Sequence, residues 1–283
     1  ADPDLKWQTN KMVNFGVDYE FFHGRMYGSL EYYKSNKTDL LSEDVIPGTT
    51  GFESITRNYG NVLNRGFEFS VNAVPFDGEF RWDIGFNIST LHNEIIDLST
   101  DGVLVNAYND LSPTHILQEG QALGTFWGVN YLGVDPETGD PMYEDINGDG
   151  IIDGDDSQII GKATPDMYGG FNTTLAWKNW DLGLAASFSV GNDVYNLIRG
   201  EYESLGWSDE GWDEDLILYQ VYTNNSHEVD DRWQQPGDQA DIPRASLINQ
   251  NVLQNSSQTL EDASYFRIRT INLGYTFKPK VKH

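Results

Sequence analysis

The sequence predicts an all-β chain that forms part of a large antiparallel transmembrane β-barrel. Three observations predict it. Apolar residues fall on every second position, the alternating segments reach or exceed the usual length of a globular strand, and the connections between them are alternately short and long.

The alternation begins at Met12, where Val13, Phe15, Val17, Tyr19 and Phe21 take every second place, with Asn14, Gly16, Asp18 and Glu20 between them. After a short turn at His23-Gly24 it resumes with Met26, Gly28, Leu30 and Tyr32. Phe67, Phe69, Val71 and Ala73 lead to the turn Pro75-Phe76-Asp77-Gly78, and Trp82, Ile84, Phe86 and Ile88 leave it. A further hairpin turns at Lys178-Asn179, from which Trp180, Leu182, Leu184, Ala186, Phe188 and Val190 depart on one face. Such two-faced ribbons of about 9 to 11 residues suit tilted membrane-crossing strands.

Short turns on one side and long loops on the other require strand direction to alternate. About nine strands satisfy that parity: 11–22, 25–35, 60–74, 80–92, 114–119, 124–134, 168–177, 181–191 and 264–277. The fifth rests on His115, Ile116, Leu117 and Gln118, and the parity fails without it. The long extracellular segments are 36–59, 93–113, 135–167 and 192–263, and the turns between paired strands are periplasmic. Tyr32, Tyr33, Trp82, Trp177, Trp180, Tyr265 and Tyr275 sit near strand ends, where interfacial girdles form. An odd number of strands does not close a usual bacterial barrel, so more strands are expected beside these. A soluble sandwich alternates as well, which makes a soluble calcium-stabilised glycan-binding β-protein the alternative reading.

Composition removes other classes. With 18 Lys and Arg against 44 Asp and Glu, the 283-residue chain carries a formal charge of −26. Such a field repels phosphate backbones, so nucleic acid is not an expected partner. The absence of cysteine excludes disulfides, thiolate metal sites and a Cys nucleophile. No stretch approaches the roughly 20 apolar residues of a spanning helix. The chain opens at Ala1-Asp2-Pro3-Asp4-Leu5 without a leader, as a processed chain or a piece of a longer one would. His23, His92, His115, His227 and His283 share no ligand spacing, no nucleophile or phosphate-loop motif is present, and no enzymatic activity is expected.

The sharpest local signal runs from Asp145 to Asp156. Asp145, Asn147, Asp149, Asp153 and Asp156 occupy the first, third, fifth, ninth and twelfth places, Gly150 the sixth, and Ile151 offers its carbonyl at the seventh. That is the spacing of a calcium loop, because a hard cation takes six or more oxygens and needs a sharp turn at the sixth place. Five carboxylates within twelve residues also repel one another unless a cation lies among them. Ca²⁺ is therefore expected in a structural role. In the long segment 192–263, 15 acidic residues accompany Arg199, Arg232 and Arg244. Trp207, Trp212, Tyr219 and Trp233 lie among them as candidate substrate-stacking residues, although a long loop also needs buried aromatics to stay ordered.

Several stretches in order resemble the SusC/RagA-like TonB-dependent outer-membrane transporters. They are Asp4-Leu5-Lys6-Trp7, Tyr59 to Val62 with Asn64-Arg65-Gly66-Phe67-Glu68, Trp82 to Asn87, and Glu119 to Gly124. The series continues through the Asp145 to Asp156 loop, Ile160-Gly161 with Thr164-Pro165-Asp166, and Leu260 to Arg269. The resemblance covers almost all of residues 1–283. It implies a 22-stranded barrel in the outer membrane of a Gram-negative bacterium, of which this chain is the middle-to-late portion. It further implies import of oligosaccharides or peptides, a SusD-like lipoprotein lid, and drive from TonB through a plug region that this sequence lacks.

Overall fold

The structure, a computed structural model, describes residues 5–45, 54–58, 60–98, 103–105, 114–203, 226–245 and 256–277. Strands β1 (Thr9–Phe21) and β2 (Met26–Thr38) pair through the tight turn at 22–25, where Gly24 sits at φ +81°. A hairpin of β3 (Leu41–Val45) and β4 (Ser54–Asn58) follows, then β5 (Asn61–Asp77), β6 (Phe80–Thr90) and β7 (His92–Asp97). Next come β8 (Val103–Val105), β9 (His115–Leu117), β10 (Thr125–Val129), β11 (Tyr131–Val134), β12 (Pro141–Tyr143) and β13 (Ser157–Lys162). The chain then forms β14 (Met167–Trp177), β15 (Trp180–Val190), β16 (Asp193–Tyr195) and α1 (Leu197–Glu203). It ends with β17 (Leu260–Asp262) and β18 (Tyr265–Tyr275).

The main sheet is antiparallel in the order β1-β2-β5-β6-β14-β15-β18, with β7 continuing outward on β5. Among the described residues seven long strands therefore cross, not nine. The expected strands at 114–119 and 124–134 correspond to β9 and to β10 with β11, which belong to small separate sheets beyond the end of the wall. Their alternation reflects local burial against the loops. Since the two were neighbours in the order, removing both restores the parity that removing one would break. The segments 93–113 and 135–167 accordingly lie within one connection, 91–166.

The register aligns one apolar face across the sheet. Val17 faces Leu30, which faces Phe69, then Ile88, Gly169, Phe188 and Phe266. Phe80, Trp177, Trp180 and Tyr275 form an aromatic row at the short-turn end, with the Trp180 and Tyr275 rings 4.7 Å apart. Phe15, Tyr32 and Phe67 form another at the outer end, where the Tyr32 and Phe67 rings are 5.0 Å apart. The 11 residues of β6 between these levels rise roughly 25 Å at the usual strand tilt, the height of a membrane barrel's apolar band.

Among the described residues nothing seals this face. Phe15 is 69% exposed, Leu273 is 70% exposed, and none of Val71, Ile84 and Leu184 is buried. The opposite face carries Asp18, Ser29, Ser70, Asn87, Gly170, Ser187 and Arg267 in one register row. Glu20, Glu68, Asn72 and Asp83 stand on that same face. Among the described residues no helix is long and apolar enough to cross a membrane. The hydrophobic core gathers at the outer end, where Val62, Leu63, Ile95, Ile116, Phe126 and Val129 are buried beneath the loop sheets.

Candidate functional site

The outer end holds the residues that the sequence singles out. Between β12 and β13, the loop from Asp145 to Asp156 closes on its own backbone. Asp145 accepts from Gly148 N through Oδ1 (2.6 Å) and from Gly150 N through Oδ2 (2.9 Å). Those glycines sit at φ +74° and +82°, a conformation that side-chain-bearing residues resist. Asn147 accepts from Asp149 N and Asp149 from Ile151 N, each at 2.8 Å, and Asp153 accepts from Asp155 N at 2.9 Å. Asp156 is fully buried and ties the ends together, accepting from Asp153 N at 3.0 Å and Ile146 N at 2.8 Å. The N–H groups of Asp153, Ile146 and Asn147 hold its carboxyl below the usual carboxylate range, against the opposing effect of burial.

Asp145, Asn147, Asp149 and Asp153 are thus each fixed by an Asx-type bond to nearby backbone, and each carboxylate retains unused lone pairs. Among the described residues, no three carboxylate or imidazole groups converge as a metal cluster. Glu144, just before the loop, accepts from Asn130 (3.0 Å) and Gln158 (2.7 Å), which pins the loop's entry to β13.

Trp233 lies outside any strand, on the segment after a 3₁₀ turn at His227–Asp231. Its indole N–H donates to the Pro136 carbonyl at 2.9 Å, and a Cβ on Gly139 would come within 2.3 Å of its ring. Trp233 therefore joins two long loops, with part of the ring still open to solvent. Trp207, Trp212 and Tyr219 lie outside the described residues.

A feature not marked by any motif lies beside α1. A cavity of about 750 Å³ is walled by Ile198, Tyr202 and Ile242 and ringed by Glu203, Glu228, Asp231, Asp241 and Glu261 around the single guanidinium of Arg199. Arg199 donates to the buried Glu203 at 2.8 Å. These residues come from three separate stretches of the 192–263 segment, 196–203, 226–242 and β17, so sequence spacing alone could not assemble them.

Residues 1–197 match the family model described as "TonB dependent receptor-like, beta-barrel". The chain belongs to the TonB-dependent receptor β-barrel family. Within that family it is 32% identical to TonB-dependent receptor P26 of Formosa agariphila, a match covering 97% of this chain and 28% of that protein. It is 30% identical to TonB-dependent receptor SusC of Bacteroides thetaiotaomicron, covering 97% of this chain and 26% of SusC. Among solved structures, the RagAB peptide transporter superposes with a TM-score of 0.78 at 23% identity, over 97% of this chain and 29% of that one, which establishes the fold. The chain thus spans little more than a quarter of the length of these receptors. As a SusC/RagA-like member of the TonB-dependent receptor family it is an outer-membrane protein of a Gram-negative bacterium. The exposed apolar face of the sheet is its lipid-facing side, and the Asn- and Ser-rich face its lumenal side.

Proposed function

We propose that this chain is the barrel portion of a TonB-dependent, SusC-like importer that takes up oligosaccharides or peptides beneath a SusD-like lipoprotein lid. The observation that carries the reading is the two-faced wall: apolar toward lipid, amide- and hydroxyl-rich toward the lumen, with most of its packed core at the outer end. The likeness to SusC and to the structure named the RagAB peptide transporter supports it. In this reading the lumenal Asp18, Ser29, Ser70 and Asn87 offer hydrogen bonds to a hydrated nutrient or to a plug. The cavity beside α1 and the Trp233 loop face the lid and the incoming nutrient, and the plug region connects to TonB. The remaining strands close on the free edges of β1 and β18.

We also propose that the Asp145 loop binds Ca²⁺ through Asp145, Asn147, Asp149, Asp153, Asp156 and the Ile151 carbonyl. The spacing of the oxygens and the turns at Gly148 and Gly150 support this. Bound calcium would supply charge neutralisation and stiffness.

The test of the importer is growth of a strain carrying the full-length gene on a panel of oligosaccharides and peptides as sole nutrient, with and without a protonophore. Loss of growth on one nutrient in the deletion strain, with energy dependence of uptake, is the expected result. A full-length protein that stays monodisperse without detergent, or uptake indifferent to the deletion on every nutrient, would overturn it.

A further inference from the structure

On the lipid-facing side, one register step outward of the Phe15–Tyr32–Phe67 row, Lys34 stands directly opposite Arg65, and Arg65 directly opposite His92. Lys11 occupies the next step, opposite Asn36. Lys11, Lys34, Arg65 and His92 are all exposed. Directly opposed cations have Cβ atoms about 5 Å apart and destabilise a sheet unless an anion lies between them. Among the described residues no carboxylate forms an ion pair with Lys11, Lys34 or Arg65. Glu94, in the row that Leu63 shares, is engaged by His92 at 3.0 Å.

The arrangement runs against the composition. The chain has 44 carboxylates for 18 permanent cations, and elsewhere among the described residues Arg81, Lys162, Arg199 and Arg244 each hold a carboxylate ion pair. Here three cations share a small area of one face with none. Beside them the buried side-chain oxygen of Asn36 has no hydrogen-bond partner, an acceptor suited to a hydroxyl. The position is also specific, because it begins where the apolar band ends, at the level of lipid head groups, and the aromatic row beneath would lie against acyl chains.

We propose that Lys11, Lys34 and Arg65 form a site for the phosphate-bearing head group of an outer-leaflet lipid, with the Phe15, Tyr32 and Phe67 side chains against its acyl chains. Arg65 presents the planar fork that matches phosphate oxygens, and the two lysines add point charge. The site requires only that this face meet the outer membrane, and it is independent of which nutrient is carried.

The experiment uses the full-length protein in detergent, delipidated and titrated with lipid A carrying its phosphates or enzymatically dephosphorylated, bound lipid being read by native mass spectrometry. Wild type is expected to bind the phosphorylated form at least tenfold more tightly, and the triple variant Lys11→Gln, Lys34→Gln, Arg65→Gln to lose that preference while keeping the heat-modifiable migration of a folded barrel. Equal binding of both lipids by wild type overturns the proposal without recourse to any variant. A folded triple variant that retains the preference also overturns it. Full displacement of the lipid by millimolar inorganic phosphate would make the site a free-phosphate site, and would overturn its assignment to lipid.

Discussion

Tyr19 lies directly opposite Gly28 and reaches across it, so that its hydroxyl donates to the Ser70 carbonyl two strands away at 2.8 Å. A Cβ on Gly28 would fall 2.6 Å from the Tyr19 oxygen and 1.9 Å from the Ser70 oxygen. The glycine is the notch that lets one ring lock three strands. The same device recurs on the other face, where Tyr33 passes Gly66 to reach the Thr90 carbonyl at 3.4 Å.

Gly28→Ala is therefore expected to destabilise the barrel by about 1–3 kcal/mol, the usual effect of forcing atoms into a filled space. Tyr19→Phe should cost about 1 kcal/mol, since it removes one hydrogen bond. Urea midpoints of the full-length protein refolded in detergent measure both. A Gly28→Ala midpoint equal to wild type would show that the strands can part at no cost, and the lock would not exist.

Trp233 offers a way to separate anchoring from nutrient contact. Its N–H bond to Pro136 spans 97 residues, and Arg244 holds the same turn by donating to Asp140 at 2.8 Å. Trp233→Phe keeps a ring over Gly139 but loses the hydrogen bond, and should raise protease cleavage of the outer loops about fivefold, equivalent to about 1 kcal/mol of local opening. Arg244→Ala should do less, because the pair is about two-fifths exposed at each end. If Trp233→Phe leaves proteolysis unchanged but weakens nutrient binding, the residue contacts nutrient instead of bracing the loop.

How far the sequence showed this in advance depends on length scale. The period-two runs located all seven crossing strands, because alternation over ten residues has no other common cause in a chain without helical periodicity. It failed at β9 and β10, where 3 and 5 residues alternate for local reasons. Both are far shorter than the span a membrane demands, and the parity test was blind because two adjacent errors cancel. Contacts such as Trp233 with Pro136, or the row joining Lys34 to Arg65, are set by register and loop closure. No spacing rule reports either. The turn that begins at Asp145 was legible because its bonds are local, as the return of Asp145 to Gly148 and Gly150 shows.

His115 supplies a pH dependence. Its ring lies 4.9 Å from that of Phe126, with Nδ1 2.9 Å from the Thr114 hydroxyl, and desolvation depresses its pKa below the ordinary histidine value. The unfolded chain then binds more protons than the folded one between the depressed value and about 6.5. Stability is full above about pH 6.5 and declines as pH falls through that window. His115→Phe should flatten this slope in thermal midpoints taken between about pH 5 and 7. A slope unchanged by the substitution would assign the effect to other groups.

Calcium has the clearest direct test. If the Asp145 loop binds with the affinity common to extracellular modules, with Kd near 10⁻⁴–10⁻³ M, about 5 mM Ca²⁺ should stabilise the protein by roughly 1–2 kcal/mol over a chelated sample. Asp149→Asn removes one charge while keeping the oxygen that accepts from Ile151, so it should abolish most of the gain and leave the chelated midpoint nearly unchanged. Asp156→Asn differs. Both oxygens of that buried carboxylate accept backbone N–H groups, and an amide nitrogen cannot, so the variant should lose stability in chelator as well as in calcium. The contrast between the two variants distinguishes a cation site from a loop held by its own backbone. No calorimetric heat at millimolar Ca²⁺, together with identical midpoints in calcium and chelator, would leave the loop as a purely hydrogen-bonded turn.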